Sequence, residues 1–265
     1  MKWNKWWTLS LAVVMAIALT LPAYASTLSE IQKRGELIVA CQTQGPPFSF
    51  VDKNGKRTGA AIELCELLAK EMGVKVKFLN YDWDGIIPAL LSKKADMLAA
   101  DMTPTIPRAM QVAFTTPYVY TGSVVFTKAD SPLKTLKDCK KPGLTIAVLL
   151  GSTGETDARK NFPNAKIKAY KGGGPLVIQA VLSGHADFGV NDKTAVYGQM
   201  ASFPPNSLRV LPGQLTKTPL CFAVRYDSPD LLRVINQFFL NSKADGNLDK
   251  ILDYWVNSLA WTKDH

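Results

Sequence analysis

Histidine is almost missing from this sequence, with only His185 and His265 in 265 residues. Two imidazoles leave a His-based metal centre or a Ser-His-Asp catalytic set almost nothing to be built from. Cysteine is scarce as well. Cys41, Cys65, Cys139 and Cys221 lie too far apart for a metal motif and are too few for a disulfide scaffold, so buried thiols are the plain reading. No Gly-Lys-Ser/Thr phosphate loop occurs, and nothing in the pattern asks for a cofactor. Beyond residue 21 no apolar stretch approaches the roughly 20 residues of a membrane span. What the chain has in excess is positive charge, 31 Lys+Arg against 22 Asp+Glu, a net +9. By itself that sign suggests nucleic acid, an anionic membrane surface or an acidic ligand. No nucleic-acid motif accompanies it, and no nucleic-acid partner is expected. An apolar fraction of 47% excludes general disorder.

Part of the charge belongs to a segment expected to be removed. Lys2 and Lys5 precede the apolar run Leu9–Leu21, then come Pro22 and Ala23-Tyr24-Ala25, and no further charge appears until Glu30. A basic start, a short apolar core and an A-x-A site predict a secretory signal over residues 1–25, cut after Ala25, rather than an uncleaved anchor. No Cys follows the site, so a lipid-modified start is not expected. The mature chain, with net charge reduced to +7 by the loss of Lys2 and Lys5, is expected in a bacterial periplasm.

From residue 26 onward short apolar strands alternate with amphipathic helices, an α/β pattern. Strands are predicted at 37–40, 74–79, 97–100, 144–150, 167–170 and 188–190. Helices are predicted at 60–72, 86–92, 153–161, 176–183 and 229–255, the last broken at Gly246. One internal similarity organises the whole. Ala89–Asp96 parallels Ala180–Asp187 with five of eight positions identical, and five residues beyond each final Asp stands another, Asp101 and Asp192. Both segments read as helix, tight turn, short strand, then Asp at the strand's carboxyl end, where ligands of open α/β sheets bind. Two lobes of related topology could thus face each other across one cleft. The strands 123–127 and 220–225 bracket the second unit and are candidates for paired connections between lobes. This gives a discontinuous lobe of residues 26–122 plus 221–265 and a second of 123–220, with hinge closure as a binding mode. Two sequential domains split near residue 130 are the alternative.

Several residues could carry binding chemistry. In Asp101-Met102-Thr103-Pro104-Thr105-Ile106-Pro107-Arg108 a strand runs into a helix for which Thr105 is a plausible N-cap. Arg108 in its first turn opposes the helix dipole. A bound carboxylate held by the guanidinium would compensate it; a neighbouring Asp or solvent would serve as well. Gly151-Ser152-Thr153 opens another helix and could bind an anion or simply cap. Asp192 could accept from an ammonium group, and Asp101 could be a second acceptor; a strand-end Asp is also a common turn residue. Trp83 is a stacking wall or a lid over the core. Lys171-Gly172-Gly173-Gly174-Pro175 reads as a flexible connection.

Taken together these pieces resemble the bacterial periplasmic solute-binding proteins of the polar amino-acid type, which serve ABC importers. The matching motifs are Pro46-Pro47-Phe48-Ser49-Phe50, Trp83-Asp84-Gly85-Ile86-Ile87-Pro88-Ala89-Leu90, Lys94-Ala95-Asp96, Thr103 through Arg108, Phe114-Thr115-Thr116-Pro117-Tyr118, Gly151-Ser152-Thr153, and Ala186 through Asp192. The resemblance implies a type II periplasmic binding fold, two α/β lobes joined by two hinge strands, working as a monomer with an ABC importer permease as partner. It implies that Arg108 grips a ligand α-carboxylate with help from Thr103, Ser152 and Thr153. Asp192 would take the α-ammonium, Trp83 would form an aromatic wall, and Gln42 would line the side-chain subsite. Gln42 and Gly45 depart from binders of basic amino acids, which usually carry an acid and an aromatic there. Asp101 departs too, standing where the family has Gly or Ser. With Asp101 and Asp192 both ionised against one Arg108, the cleft is left at −1, which a cationic side chain would balance: Arg, Lys or ornithine first, other polar amino acids next. The same fold hosts exported cyclohexadienyl dehydratases, the enzyme alternative. Those carry a Glu shortly after the position of Asp192, whereas here Lys193-Thr194-Ala195-Val196 follows, so no general acid is in place.

Overall fold

The computed structural model describes residues 26–265; the expected signal peptide lies outside the described residues. The chain enters through helix α1 (Thr27–Arg34) and strand β1 (Glu36–Cys41). A three-stranded ribbon follows, β2 (Gln44–Gly45), β3 (Ser49–Val51) and β4 (Arg57–Thr58). Helix α2 (Ala60–Glu71), β5 (Lys75–Asn80), α3 (Ile86–Leu91) and β6 (Met97–Met102) complete the first α/β unit. After the short helix α4 (Ile106–Ala109) come β7 (Ala113–Phe114), β8 (Val119–Thr121) and β9 (Ser123–Lys128). The second unit runs β10 (Thr145–Leu149), α5 (Thr153–Asn161), β11 (Lys166–Tyr170), α6 (Gly174–Leu182), β12 (Phe188–Asp192), α7 (Lys193–Met200) and β13 (Leu208–Val210). Strand β14 (Thr218–Val224) returns the chain to the first sheet, where α8 (Pro229–Ala244) and α9 (Asn247–Leu252) cover it.

Each lobe has its own mixed sheet, in the order β5-β1-β6-β14-β7 and β11-β10-β12-β9-β13. In both, the three strands of the α/β unit are parallel and the fourth is antiparallel. The internal similarity holds at the level of atoms. Asp96 accepts the backbone N–H of Ile38 at 2.8 Å and its own N–H donates to Ile38 O. Asp187 makes the same two bonds with Thr145, its carboxylate accepting at 2.7 Å. A charged acceptor on a strand-edge N–H contributes about 1.5–3 kcal/mol, so each repeat Asp fastens its strand to the parallel neighbour.

The predicted connections need one correction. Segments 123–127 and 220–225 do not pair with each other; β9 lies in the second sheet and the body of β14 in the first. The paired crossing is β8 with the start of β14, in the register Thr121–Thr218 to Val119–Leu220. Pairing is settled by which sheet edge each strand meets, a non-local choice that apolar runs do not encode. Helices α1 and α7 were not anticipated either. The first lobe packs an aromatic core in which Tyr118 stacks on Phe239 at 5.7 Å and tilts against Phe222 at 5.0 Å. The second is built on Phe162, Phe188 and the aliphatic faces of β10 and β12. All four cysteines are buried and unbonded.

Candidate functional site

The carboxyl ends of β1 and β6 in one lobe face the first turns of α5, α6 and α7 in the other, around one narrow cavity. All eight residues singled out from the sequence line it: Gln42, Trp83, Asp101, Thr103 and Arg108 from the first lobe, Ser152, Thr153 and Asp192 from the second. The free space is about 30 Å³, room for little more than a water molecule or two. That is less room than an amino acid needs.

Arg108 is 9% exposed. Its guanidinium donates to Thr103 O at 2.9 Å within its own lobe and to Gly151 O at 3.0 Å across the cleft. It lies against the Trp83 ring, 5.1 Å from the centroid. No contact ion pair among the described residues includes it, so its nearby carboxylates act on it only through space. Burial pulls its pKa down, and the charges of Asp192 and Asp101 pull it back up. Two carbonyls leave a buried guanidinium with donors to spare.

Asp192 occupies the N-cap position of α7 yet makes no side-chain capping bond. Its Oδ1 is buried without a partner. Burial raises its pKa to about 6; Arg108 opposes that shift and the charge of Asp157 behind it adds to it. Asp101, the penultimate residue of β6, lies in the left-handed region, φ +43°, where Asp is tolerated better than most residues. Burial and the Asp192 charge push its carboxyl well above the usual range, against the pull of Arg108. Gln42, 6% exposed, holds Nε2 at 3.4 Å from Asp101 Oδ1, a long contact.

The hydroxyls divide. Ser152 Oγ accepts from Glu155 N at 3.1 Å, so it caps α5 as well as lining the cavity. Thr103 Oγ1 is buried without a partner. Thr105 sits at the N-cap of α4 but its side chain makes no capping bond. Glu155 and Asp157, the nearest carboxylates to a missing general acid, are committed elsewhere. Glu155 accepts from Gly151 N and Arg159, and Asp157 from Ser123 and Thr216.

Trp83 packs against the cores of both lobes, and its backbone N–H donates to Gly172 O at 3.1 Å. The glycine run is thus more than a connection. Gly172 receives this cross-cleft bond, and Gly174 lines the cavity. Elsewhere on the seam a Cβ on Gly198 would come within 2.7 Å of the Pro46 backbone. Sequence reasoning missed Asn191, Ala195 and Gln199, which also line the cavity. Asn191 Oδ1 accepts from Asp192 N at 2.9 Å. Asp192, Ala195 and Gln199 share one face of α7 by helical spacing, a stripe visible only once α7 is known to be a helix.

A family model described as bacterial extracellular solute-binding proteins, family 3, matches residues 37–258. A probable amino-acid ABC transporter-binding protein of Haemophilus influenzae is 31% identical over 242 residues, covering 91% of this chain and 92% of that protein. ABC transporter arginine-binding protein 1 of Escherichia coli is 33% identical over 214 residues, 79% of this chain and 86% of that one. Among solved structures, an ancestral amino acid-binding protein described as a precursor of cyclohexadienyl dehydratase is 40% identical. It superposes with a TM-score of 0.79 over 87% of this chain and all of that one.

Proposed function

We propose that this chain, which belongs to family 3 of the bacterial extracellular solute-binding proteins, closes its two lobes on an amino acid with a cationic side chain. One observation carries the reading. A buried guanidinium satisfied only by carbonyls and a buried carboxylate with an unpartnered oxygen face the same narrow cavity, one from each lobe. A zwitterion is the ligand class that supplies a carboxylate to the first and an ammonium to the second, and desolvating both is tolerable only when both are paired.

In this reading Arg108 and Thr103 Oγ1 hold the α-carboxylate with the Ser152-Thr153 turn, and Asp192 takes the α-ammonium. Trp83 walls the ligand, while Gln42 and Asp101 face its side chain. If Asp101 and Asp192 are both ionised with ligand bound, one guanidinium leaves a deficit of one positive charge; arginine, lysine or ornithine would make it good, and its cation would draw the raised Asp101 pKa back down. The arginine-binding relative is in keeping with that choice. The chain is a binding protein and not an enzyme, as its relatives are. Export through a cleaved signal over residues 1–25, action as a monomer, and delivery to an ABC importer permease complete the proposal. So do lobes of residues 26–122 plus 221–265 and 123–220, moving about β8 and β14. The pairing of β8 with β14 supports that division.

A thermal-shift screen of residues 26–265 against the amino acids, after unfolding and refolding to strip any carried ligand, tests the reading. A ligand at 100 times its Kd adds about 2.7 kcal/mol, a clear shift in Tm. Arginine, lysine or ornithine should give the largest shift. Silence from every amino acid would refute the proposal.

A further inference from the structure

Of the polar atoms lining the cavity, three are buried without a partner: Thr103 Oγ1, Asp192 Oδ1 and Gln199 Oε1. The first two belong to the recognition of a zwitterion's head. Gln199 does not, and a buried acceptor left without a partner is destabilising. It is 3% exposed. A Cβ at Gly174 would overlap its amide, so the bare first turn of α6 gives this side chain its place. Seven residues separate it from Asp192 along α7, about 10 Å of helix. Between them Ala195 presents only a methyl group to the cavity. The face therefore reads as an anion for the head, a small apolar stretch, then an unused acceptor.

We infer that Gln199 is a side-chain specificity residue: its amide oxygen, held over Gly174, accepts an N–H from the far end of a ligand side chain laid along α7 from Asp192. The inference rests on the binding reading proposed above and adds a length rule to it. A side chain that is long and ends in donors satisfies the acceptor; a short one leaves it buried and bare. Arginine, with several donors on a planar terminus, fits the position best.

The test compares L-arginine with L-alanine, titrated calorimetrically into the wild-type protein and into Gln199→Leu and Gln199→Glu. In Gln199→Leu the arginine-to-alanine affinity ratio should fall on the order of tenfold, the loss of one buried hydrogen bond. Gln199→Glu should raise the affinity for arginine relative to that for L-glutamine. An unchanged ratio in Gln199→Leu, whether both affinities drop together or neither moves, would overturn the inference. So would a Gln199→Glu protein that treats arginine and glutamine as the wild type does, which keeps the question decidable if the leucine variant does not fold. A wild type that binds none of these ligands would instead bring down the binding reading itself, a distinguishable result.

Discussion

The two lobes share a sheet order and a repeat, yet they bring opposite chemistry to the cavity. The first lobe reaches it with strand ends and the loop after β6, and supplies the cation, Arg108. The second reaches it with the first turns of three helices and supplies an anion, Asp192. Helix N-termini favour negative charge, so a carboxylate at the start of α7 suits its place, while burial raises its pKa to about 6. The equivalent strand end in the first lobe carries Asp101, in left-handed backbone and beside Gln42. Duplicated topology thus sets where side chains emerge, and in the proposed reading single residues at those points set which end of a ligand each lobe takes.

The sharpest way to break this comparison is to remove one lobe's charge. Arg108→Met should weaken amino-acid binding by at least a hundredfold, since stripping one partner from a buried charge pair costs about 3–5 kcal/mol; calorimetry reads it directly. Asp192→Asn should weaken binding by a smaller but still large factor, because the amide keeps an acceptor oxygen. Asp101→Ser should cost a cationic ligand about tenfold or more and a neutral one far less. Equal losses for arginine and glutamine would sink the charge-balance argument.

Proton linkage gives a subtler contrast. An ammonium ligand needs Asp192 ionised, so its affinity should fall as pH drops below about 6 and level off above it. Stability of the ligand-free protein should run the other way. The folded pKa lies above the ordinary aspartate value of 3.8, so between the two the folded state holds more protons than the unfolded. Unfolding free energy from this group therefore declines as pH rises through that window. Urea titrations at several pH values would detect the slope, and Asp192→Asn should flatten it. The smallest effect is at the seam. Gly198→Ala, pressed against the Pro46 backbone, should hold the lobes slightly apart and lower affinity several-fold with little change in Tm, measurable as a larger scattering radius in the presence of ligand.

Much of this was legible in the sequence. The repeat ending in Asp96 and Asp187 placed two strand ends, and the residues beyond them located the cavity. Pattern could not decide which antiparallel edges would pair, because β8 is three residues long and its partner lies nearly a hundred residues away. Helix α7 is hard to read because Gly198 and the buried Gln199 break the apolar pattern of Lys193–Met200. Both exceptions serve the seam and the cavity, where local rules give way to function. Net charge misled as well, since its sign favoured an anionic partner while the carboxylates in the cavity outnumber the guanidinium.

In the proposed complex one lobe holds the carboxylate and the other the ammonium of the same small molecule. Calorimetric titration of refolded residues 26–265 with L-arginine, agmatine, which lacks the carboxylate, and argininic acid, which lacks the amine, tests it most directly. Arginine should bind one to one, and both analogues should bind more weakly by a factor on the order of a thousand or more, because each leaves a buried charge unpaired. Agmatine or argininic acid binding as tightly as arginine would contradict it.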